Sequence, residues 1–570
     1  MSRIDDTHNE QQSLHWADKL AKKILKWQRQ QDIKELHIDD MKTPSGRVHT
    51  GALRGVILHD LVQKTLLDQL AQTSKNQEVV STYVFNDMDP MDGLPAYLDR
   101  DQYLPYMGKP LFQIPAPSLA ESGVDFSTSN QKEKVKFSQA KSFAEFYALD
   151  FIEAFRYLGC DQKIIWSHEL YQSGAMNQVI KLVLDNVDQV KQVYQKVADY
   201  QLPVNWYPFQ VICPSCGKIG TTLVTGWDGE LVSFECQPNL VDWAKGCGYK
   251  GKISPFDGAG KLLWKVDWPA HWKVMGVNVE GAGKDHTSAG GSRDMGNALV
   301  KNVLDYIVPF DIPYEWILIR GAKMSSSKGV GASAREFVDL FKPEVGRFLF
   351  VSKHFNQVID FDPSSETIPD LYDLYDQGCR IYWGQEEGDE RLARAVELSQ
   401  IDSPVPKPQF LPRFRDVVVW MQHPELDLEQ EFEKVKGEPL TESEKQELDE
   451  RVKRATIWLD RYAPQEYQLT PTQDLPATAS SISSEQLEFV KQVFDWIVEG
   501  QAASPEDLQQ KIYQLAKSTV GAKKGFQAIY QVLIGKTHGP RAAWLLLDTS
   551  TELLQDRIEQ LEKISQVKNE

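Results

Sequence analysis

Two short segments, far apart in the chain, carry residue types suited to holding polyphosphate. Lys323-Met324-Ser325-Ser326-Ser327-Lys328-Gly329 brackets three small hydroxyl residues with two ammonium groups. Charge on a supple loop can follow a departing polyphosphate. Charge placed where negative charge develops in a transition state is usually the largest single catalytic contribution. Upstream, Thr43-Pro44-Ser45-Gly46-Arg47-Val48-His49-Thr50-Gly51-Ala52 joins a predicted strand to a predicted helix. Gly46 and Gly51 let the backbone approach a ligand closely, and amide N–H groups at a helix start favour phosphate. His49 adds a short-range donor. The plain alternatives are a sharp βα turn with a capping histidine and a solvated basic loop.

The elements that must position these residues are legible as periodicities. Ile33-Lys34-Glu35-Leu36-His37-Ile38 alternates as a short buried strand. Leu53, Val56, Ile57, Leu61, Leu66, Leu67 and Leu70 then form an apolar stripe at helical spacing. Glu315 to Ile319 reads as a strand that ends at Arg320-Gly321, so the lysine loop also leaves a strand end. In an α/β sheet such exits open onto the crevice where ligands bind. Further strands are expected at Val79 to Phe85, Val274 to Val279 and Trp316 to Ile319, and Ala17, Leu20, Ile24 and Trp27 mark an amphipathic N-terminal helix. Asn86-Asp87-Met88-Asp89 puts carboxylates at the crevice edge, there to meet substrate or to cap a loop.

Four of the six cysteines cluster in sequence: Cys213-Pro214-Ser215-Cys216-Gly217, Cys236, and Cys247-Gly248. The Cys-x-x-Cys-Gly and Cys-Gly turns suit a zinc knuckle, and four thiolates make a closed structural Zn2+ site with no open coordination position. The interval from Gln237 to Gly246 reads as an inserted loop, which leaves Cys236 the least certain ligand. Cys160 and Cys379 are isolated and read as buried, inert thiols.

Three more segments sharpen the picture: Trp264-Lys265-Val266-Asp267-Trp268-Pro269-Ala270-His271-Trp272, Val279-Glu280-Gly281-Ala282-Gly283-Lys284-Asp285-His286, and Gly535-Lys536-Thr537-His538-Gly539-Pro540-Arg541. With Pro343-Glu344-Val345 and Arg347, and with the two loops, the chain resembles class I aminoacyl-tRNA synthetases, and within them the class I lysyl-tRNA synthetases. The likeness runs from the first loop to the last helix. Two positions depart from the pattern. Ala52 stands where the first signature carries histidine or asparagine, and Ser326 stands where the second usually carries lysine.

The resemblance implies an α/β fold: a Rossmann-like parallel-sheet catalytic domain with a zinc-bearing insertion, then an all-α C-terminal domain that binds the anticodon. The expected division is an N-terminal helix over 1–30, a catalytic domain over 31–330 with the insertion at about 90–263, a connecting helical segment over 331–400 and the helical domain over 401–570. It also implies ATP held by Pro44, Ser45, Gly46, His49, Gly51, Met324, Ser325, Ser326 and Ser327, with Mg2+ accompanying it. His49, Gly51, Lys323 and Lys328 are the catalytic group. L-Lysine would lie against Thr43, Trp272, Glu280, Asp285 and His286, with Glu280 the acid for its ammonium and Trp272 a wall. The acceptor is tRNA(Lys). Rival readings are a synthetase of this class for cysteine, glutamate or arginine, a nucleotidyltransferase of the same superfamily, and an inactive tRNA-binding relative.

Composition agrees with a large enzyme. The chain has 570 residues, 41% hydrophobic and 25% charged, and single cores stop growing near ~250–300 residues, so several domains are expected. Met1 to Gln12 lacks the basic-then-apolar pattern of a secretory leader, no apolar run approaches the ~20 residues that span a membrane, and few cysteines suit a reducing compartment. A cytoplasmic location is the expectation, and a monomer is favoured. The net charge of −18 does not itself favour RNA, but phosphate contacts depend on local basic groups and not on the total. Gln468 to Ser484 reads as a Pro/Ser/Thr/Gln linker between helical stretches.

Overall fold

The computed structural model describes residues 14–72, 77–127, 129–321, 333–401, 403–423, 425–464, 467–501 and 504–569. The chain divides into two units, residues 1–362 with 377–407 and residues 363–376 with 408–570.

The first unit is built on a helix α1 (Trp16–Gln30), strand β1 (Leu36–Lys42), helix α2 (Leu53–Ala71), strands β2 (Val79–Phe85) and β3 (Lys163–Trp166), helix α3 (Trp264–Met275), and strands β4 (Val279–Gly283) and β5 (Phe310–Tyr314). The strands form one sheet in the order β5-β4-β1-β2-β3, every neighbouring pair parallel. The chain moves from β1 one way to β2 and β3, then resumes on the other side of β1 with β4. That reversal is where a doubly wound sheet leaves a crevice.

Both faces of β1 are buried, as parallel strands require. Leu36 and Ile38 pack with Leu20 and Ile24 of α1 and with Leu58, Val62 and Leu66 of α2. Ile38 is wholly buried, and truncating such a residue to alanine costs about 2–5 kcal/mol. The opposite face carries polar groups that must be satisfied. His37 Nδ1 lies 2.8 Å from the Met275 carbonyl oxygen and Nε2 2.8 Å from the Thr82 hydroxyl, while Thr82 also donates to Asp39. The stripe foreseen on α2 is buried except Leu67, which is 46% exposed.

Four sequence expectations shift. The first strand is Leu36–Lys42, later in the chain than its apolar alternation suggested, because its far end is charged yet buried by the site. Val274 is helical: α3 runs to Met275 and Gly276, at φ 76°, stops it before β4 begins. Ile317–Ile319 is a strand, but it pairs with Ile359–Phe361 in a separate two-stranded sheet, since β5 already occupies the edge beside β4. The long insertion is not continuous either, because β3 lies inside it and closes the main sheet.

The rest of the insertion holds the antiparallel strands Thr222–Trp227, Val232–Cys236 and Lys250–Ile253 and the pair Phe209–Val211 with Gly260–Leu262. The second unit contains the helices Phe414–Trp420, Leu428–Lys436, Glu442–Arg461, Ser484–Val498, Pro505–Ser518, Ala522–Leu533, Ala542–Asp548 and Thr551–Asn569, and no strand among its described residues. Its core joins Val490, Phe494, Ile512, Ile529 and Leu546. Among the described residues no helix is long and apolar enough to cross a membrane.

Candidate active site

A cavity of about 210 Å³ opens at the carboxyl ends of β1 and β4. It is lined by Asp40, Met41 and Lys42 from β1, His49, Gly51 and Ala52 from the following turn, Tyr83 from β2, Gly283 at the end of β4 with Asp285 and His286 beyond it, and Tyr314 at the end of β5 with Glu315, Trp316 and Ile317 beyond it. These segments are brought together only by the strand order, since β1 and β4 are neighbours in the sheet while well over two hundred residues separate them.

The turn after β1 is shaped by close packing. Gly46 sits at φ 145°, and a Cβ there would fall 2.8 Å from the Tyr97 hydroxyl and 3.0 Å from Pro95. The Tyr97 oxygen accepts the Arg47 backbone N–H at 2.7 Å. Thr43 donates to Asp89 at 2.5 Å, and Asp89 in turn pairs with Lys261, whose Nζ is also 3.0 Å from Asp267. Lys261 is 2% exposed. Burial works against its charge, but Asp267 and Asp89 outweigh that and hold its ammonium above the ordinary lysine range.

Lys323, Met324, Ser325, Ser326, Ser327 and Lys328 lie outside the described residues; their flanks do not. Residues just before them, Trp316 and Ile317, line the cavity. On the far side, Ser333 forms an antiparallel bridge with His49 and accepts the Thr50 hydroxyl at 3.1 Å, while the Ala334 N–H donates to Val48 at 2.9 Å. Arg47 and Glu336 pair at 2.5 Å, and Ser333 and Glu336 close a capping box on the helix that follows. The chain leaving the lysine loop is therefore fastened onto the first signature.

Asp40 is the acid that β1 turns to the cavity, where Asp285 and Glu315 also lie. Helix α2 comes so close that a Cβ on Gly55 would lie 2.6 Å from Asp40 Oδ2 and 2.8 Å from the Tyr314 hydroxyl. His59 Nδ1 is 3.5 Å from the same oxygen and 2.7 Å from the Gly55 carbonyl, while His59 Nε2 accepts the Gly281 N–H at 2.7 Å. Accepting at Nε2 places the ring proton on Nδ1, facing Asp40 and the Gly55 carbonyl; burial works against charge on this ring, but Asp40 outweighs it and draws His59 above the ordinary imidazole range. Burial, with Asp40 adding to it, keeps the Tyr83 and Tyr314 phenols protonated well above their usual range, so both remain donors. Burial also draws the Lys42 ammonium below its usual range.

Glu280 and Trp272, expected to hold and wall the substrate, do not line the cavity. Residues alternate along β4, and Glu280 turns toward α3. There Trp268 Nε1 donates to one oxygen at 2.9 Å and Trp272 Nε1 to the other, with Arg293 at 3.9 Å. Burial, against the pull of Arg293, pushes the Glu280 carboxyl up to about 7. Its role in this geometry is to tie α3 to the sheet directly beneath the site. Asp285 and His286 do line the cavity, with His286 packed edge-on 5.7 Å from Trp268. Pro44 and Thr43 lie in the turn behind it, outside the lining. Asp40, Lys42, Tyr83 and Tyr314 were not foreseen; the signal for the first two was the charged end of β1.

The four clustered cysteines form one group, their sulfurs all within 4.8 Å of one another. Cys213 and Cys247 sulfurs are 3.7 Å apart, as are those of Cys216 and Cys236. A tetrahedron of thiolates about 2.3 Å from a central zinc has edges of about 3.8 Å, so the donor set fits the ion. Cys236 belongs to the set, since the strand Val232–Cys236 ends there and the loop from Gln237 returns Cys247, whose N–H lies 3.3 Å from the Cys236 sulfur.

Residues 14–402 match the family model described as tRNA synthetases class I (K). The chain is 29% identical over 553 residues to a lysine–tRNA ligase of Archaeoglobus fulgidus, covering 96% of this chain and 99% of that one. It is 30% identical over 579 residues to a lysine–tRNA ligase of Methanosarcina barkeri, covering 97% and 98%. It is 31% identical over 559 residues to lysine–tRNA ligase 1 of Methanosarcina acetivorans, covering 94% and 96%. With the signature turn, the parallel sheet and the match over most of its length, the chain belongs to the class I (K) family of tRNA synthetases.

Proposed function

We propose that this chain attaches L-lysine to tRNA(Lys) by way of a lysyl-adenylate. The observation that carries the reading is the cavity itself, which sets a carboxylate (Asp40) and a cation (Lys42) on one strand end opposite the His49–Gly51 turn. In this reading Asp40, flanked by the Tyr83 and Tyr314 hydroxyls, receives an ammonium of lysine. Such a floor disfavours uncharged analogues, because its buried polar groups would be left unpaired.

ATP lies along the His49–Gly51 turn with Mg2+ in attendance, and Asp285 and His286 contact the ribose or the amino acid. A lysine carboxylate oxygen attacks the α-phosphorus, the bond to the bridging oxygen breaks, and pyrophosphate departs. Lys42 from the strand, and Lys323 and Lys328 from the loop anchored at Ser333, supply positive charge to that centre. Placement and charge provide the acceleration, with no covalent protein intermediate. A terminal ribose hydroxyl of the tRNA then attacks the lysyl carbonyl carbon, and AMP leaves.

Bound zinc would be held by Cys213, Cys216, Cys236 and Cys247 and would fasten the insertion without entering the reaction. Charging of tRNA transcripts with labelled lysine tests the reading. Robust lysylation that falls at least about a hundred-fold in His49→Ala supports it, and charging with a different amino acid would overturn it.

A further inference from the structure

We infer that Arg54 is a positioning residue for adenylate formation, fixing the strand end from which the lysine segment departs; this rests on the reading that sets Lys323 and Lys328 against the leaving pyrophosphate. Arg54 is the second residue of α2, two places after Ala52, and it does not line the cavity. It is buried, at 4% exposure. Its Nη2 donates to three backbone carbonyls of one short segment, those of His354 at 3.0 Å, Phe355 at 3.1 Å and Gln357 at 2.8 Å. Nε and Nη1 are buried as well and make no hydrogen bond among the described residues.

The clasped segment in turn holds the approach to the lysine loop. The Phe355 carbonyl also accepts the Glu315 N–H at 2.9 Å, and the Ile359 N–H donates to the Trp316 carbonyl at 3.1 Å. Ile317–Ile319 then runs parallel to Ile359–Phe361, with Leu318 beside Asp360. Past the strand, the Gly321 N–H donates to Asp360 Oδ1 at 2.9 Å, and Arg320 pairs with Asp362 at 3.1 Å. The path from Arg54 to Gly321 is short and hydrogen-bonded throughout. Beyond the lysines, Ser333 is fastened to His49 and Thr50. Both described ends of the lysine segment are thus held to one place, the turn that opens α2.

A guanidinium is a costly donor for this task. Burial draws Arg54 down to about 10, against the weaker pull of Tyr314 and Glu315, so it keeps its charge at neutral pH. That charge is desolvated with two donors unused, and among the described residues no carboxylate pairs with it. Burying a charge without a pairing anion is unfavourable, and a neutral side chain would serve as a plain tether. The arginine instead gathers carbonyls spread over four residues onto one nitrogen of a rigid planar group, so the segment cannot slide along α2 without losing all three. Gly55, the next residue, already sets α2 in contact with Asp40 and Tyr314. One turn of helix therefore indexes both the floor of the cavity and the strand that leads to the lysines.

The test reads rate apart from binding. Lysine-dependent ATP–pyrophosphate exchange is measured with tRNA(Lys) present, and urea unfolding beside it. Arg54→Met, which keeps an apolar stem and removes the donors, should lower the exchange kcat about ten- to a hundred-fold and leave the lysine KM within about two-fold, as a small misplacement of catalytic charge does. In Lys323→Ala the same substitution should cost no more than about three-fold further, because little charge is left to misplace. Arg54→Lys, whose ammonium offers one proton to each carbonyl, should recover most of the loss. Asp360→Ala, at an exposed position on the far end of the path, should lower kcat about three-fold, the worth of one hydrogen bond, with the lysine KM again unchanged.

An unchanged rate in Arg54→Met, a loss that multiplies in full with that of Lys323→Ala, a lysine KM that rises as the rate falls, or an unchanged rate in Asp360→Ala would each overturn the role. If urea unfolding shows that Arg54→Met does not fold, Asp360→Ala is scored by the same cycle against Lys323→Ala. Absence of exchange in the parent would instead be a failure of the ligase reading, seen before any variant is made, and would take this role with it. Exchange with another amino acid would unseat lysine alone, and the same variants would then be scored on that amino acid.

Discussion

Replacing Asp40 by asparagine is the sharpest perturbation of lysine recognition. Asp40 lines the cavity with a side chain 12% exposed, and its neighbour His59, which accepts the Gly281 N–H at Nε2, stands 3.5 Å from Asp40 Oδ2. A lysine ammonium about 4 Å away at an effective dielectric near 20 gains about 4 kcal/mol, and desolvation returns part of that. A net loss of about 2–3 kcal/mol on substitution corresponds to about a 30- to 150-fold rise in the lysine KM. The assay is ATP–pyrophosphate exchange as a function of lysine, with urea unfolding in parallel. Glu280→Gln is the informative contrast. Both Glu280 oxygens accept indole N–H groups, so a glutamine NH2 would face one of them donor to donor. That variant should lose about 1–3 kcal/mol of stability and leave the lysine KM within about three-fold. A lysine KM raised by Glu280→Gln but not by Asp40→Asn would refute the assignment.

Three further outcomes follow from the geometry. Lys261→Met, which strands Asp89 and Asp267 without their cation, should destabilise the first unit by about 3–5 kcal/mol in urea unfolding, with Lys261→Arg milder. His15 is pushed down to about 4, chiefly by burial, with the Val351 carbonyl accepting from its Nε2 and the Ala17 N–H donating to its Nδ1. Between about 4 and 6.5 the unfolded chain binds the proton that the folded chain refuses, so stability should fall by about 3 kcal/mol as pH drops through that window. His15→Asn, which keeps the helix cap, should flatten that part of the pH–stability curve. Atomic emission should find one zinc per chain, falling below about 0.3 in Cys236→Ala, and chelation should lower the melting temperature in the parent only.

Much of the machinery was legible from residue types and spacing. The signature turn, α2, β2 and the paired turns of the cysteine group each declare themselves locally, because a repeat of two or 3.6 or a glycine at a tight turn is a short-range signal. What was hidden has a physical reason in each case. Lys163-Ile164-Ile165-Trp166 is too short for periodicity to stand out, so β3 was read as part of the insertion. Asp39, Asp40 and Lys42 fell beyond the strand expected over Ile33 to Ile38, since charged residues are buried in a strand only where the tertiary structure supplies partners or a ligand. Glu280 carried the right chemistry for an ammonium, but which face of β4 it takes depends on the indoles of α3 twelve and eight residues away. Cys236 was in doubt because of a ten-residue gap, which the returning loop closes.

The most direct test of the central claim is amino-acid-dependent ATP–pyrophosphate exchange across all twenty amino acids, run with and without bulk tRNA. The account predicts exchange with lysine alone. Exchange with another amino acid, or none under either condition, would contradict it.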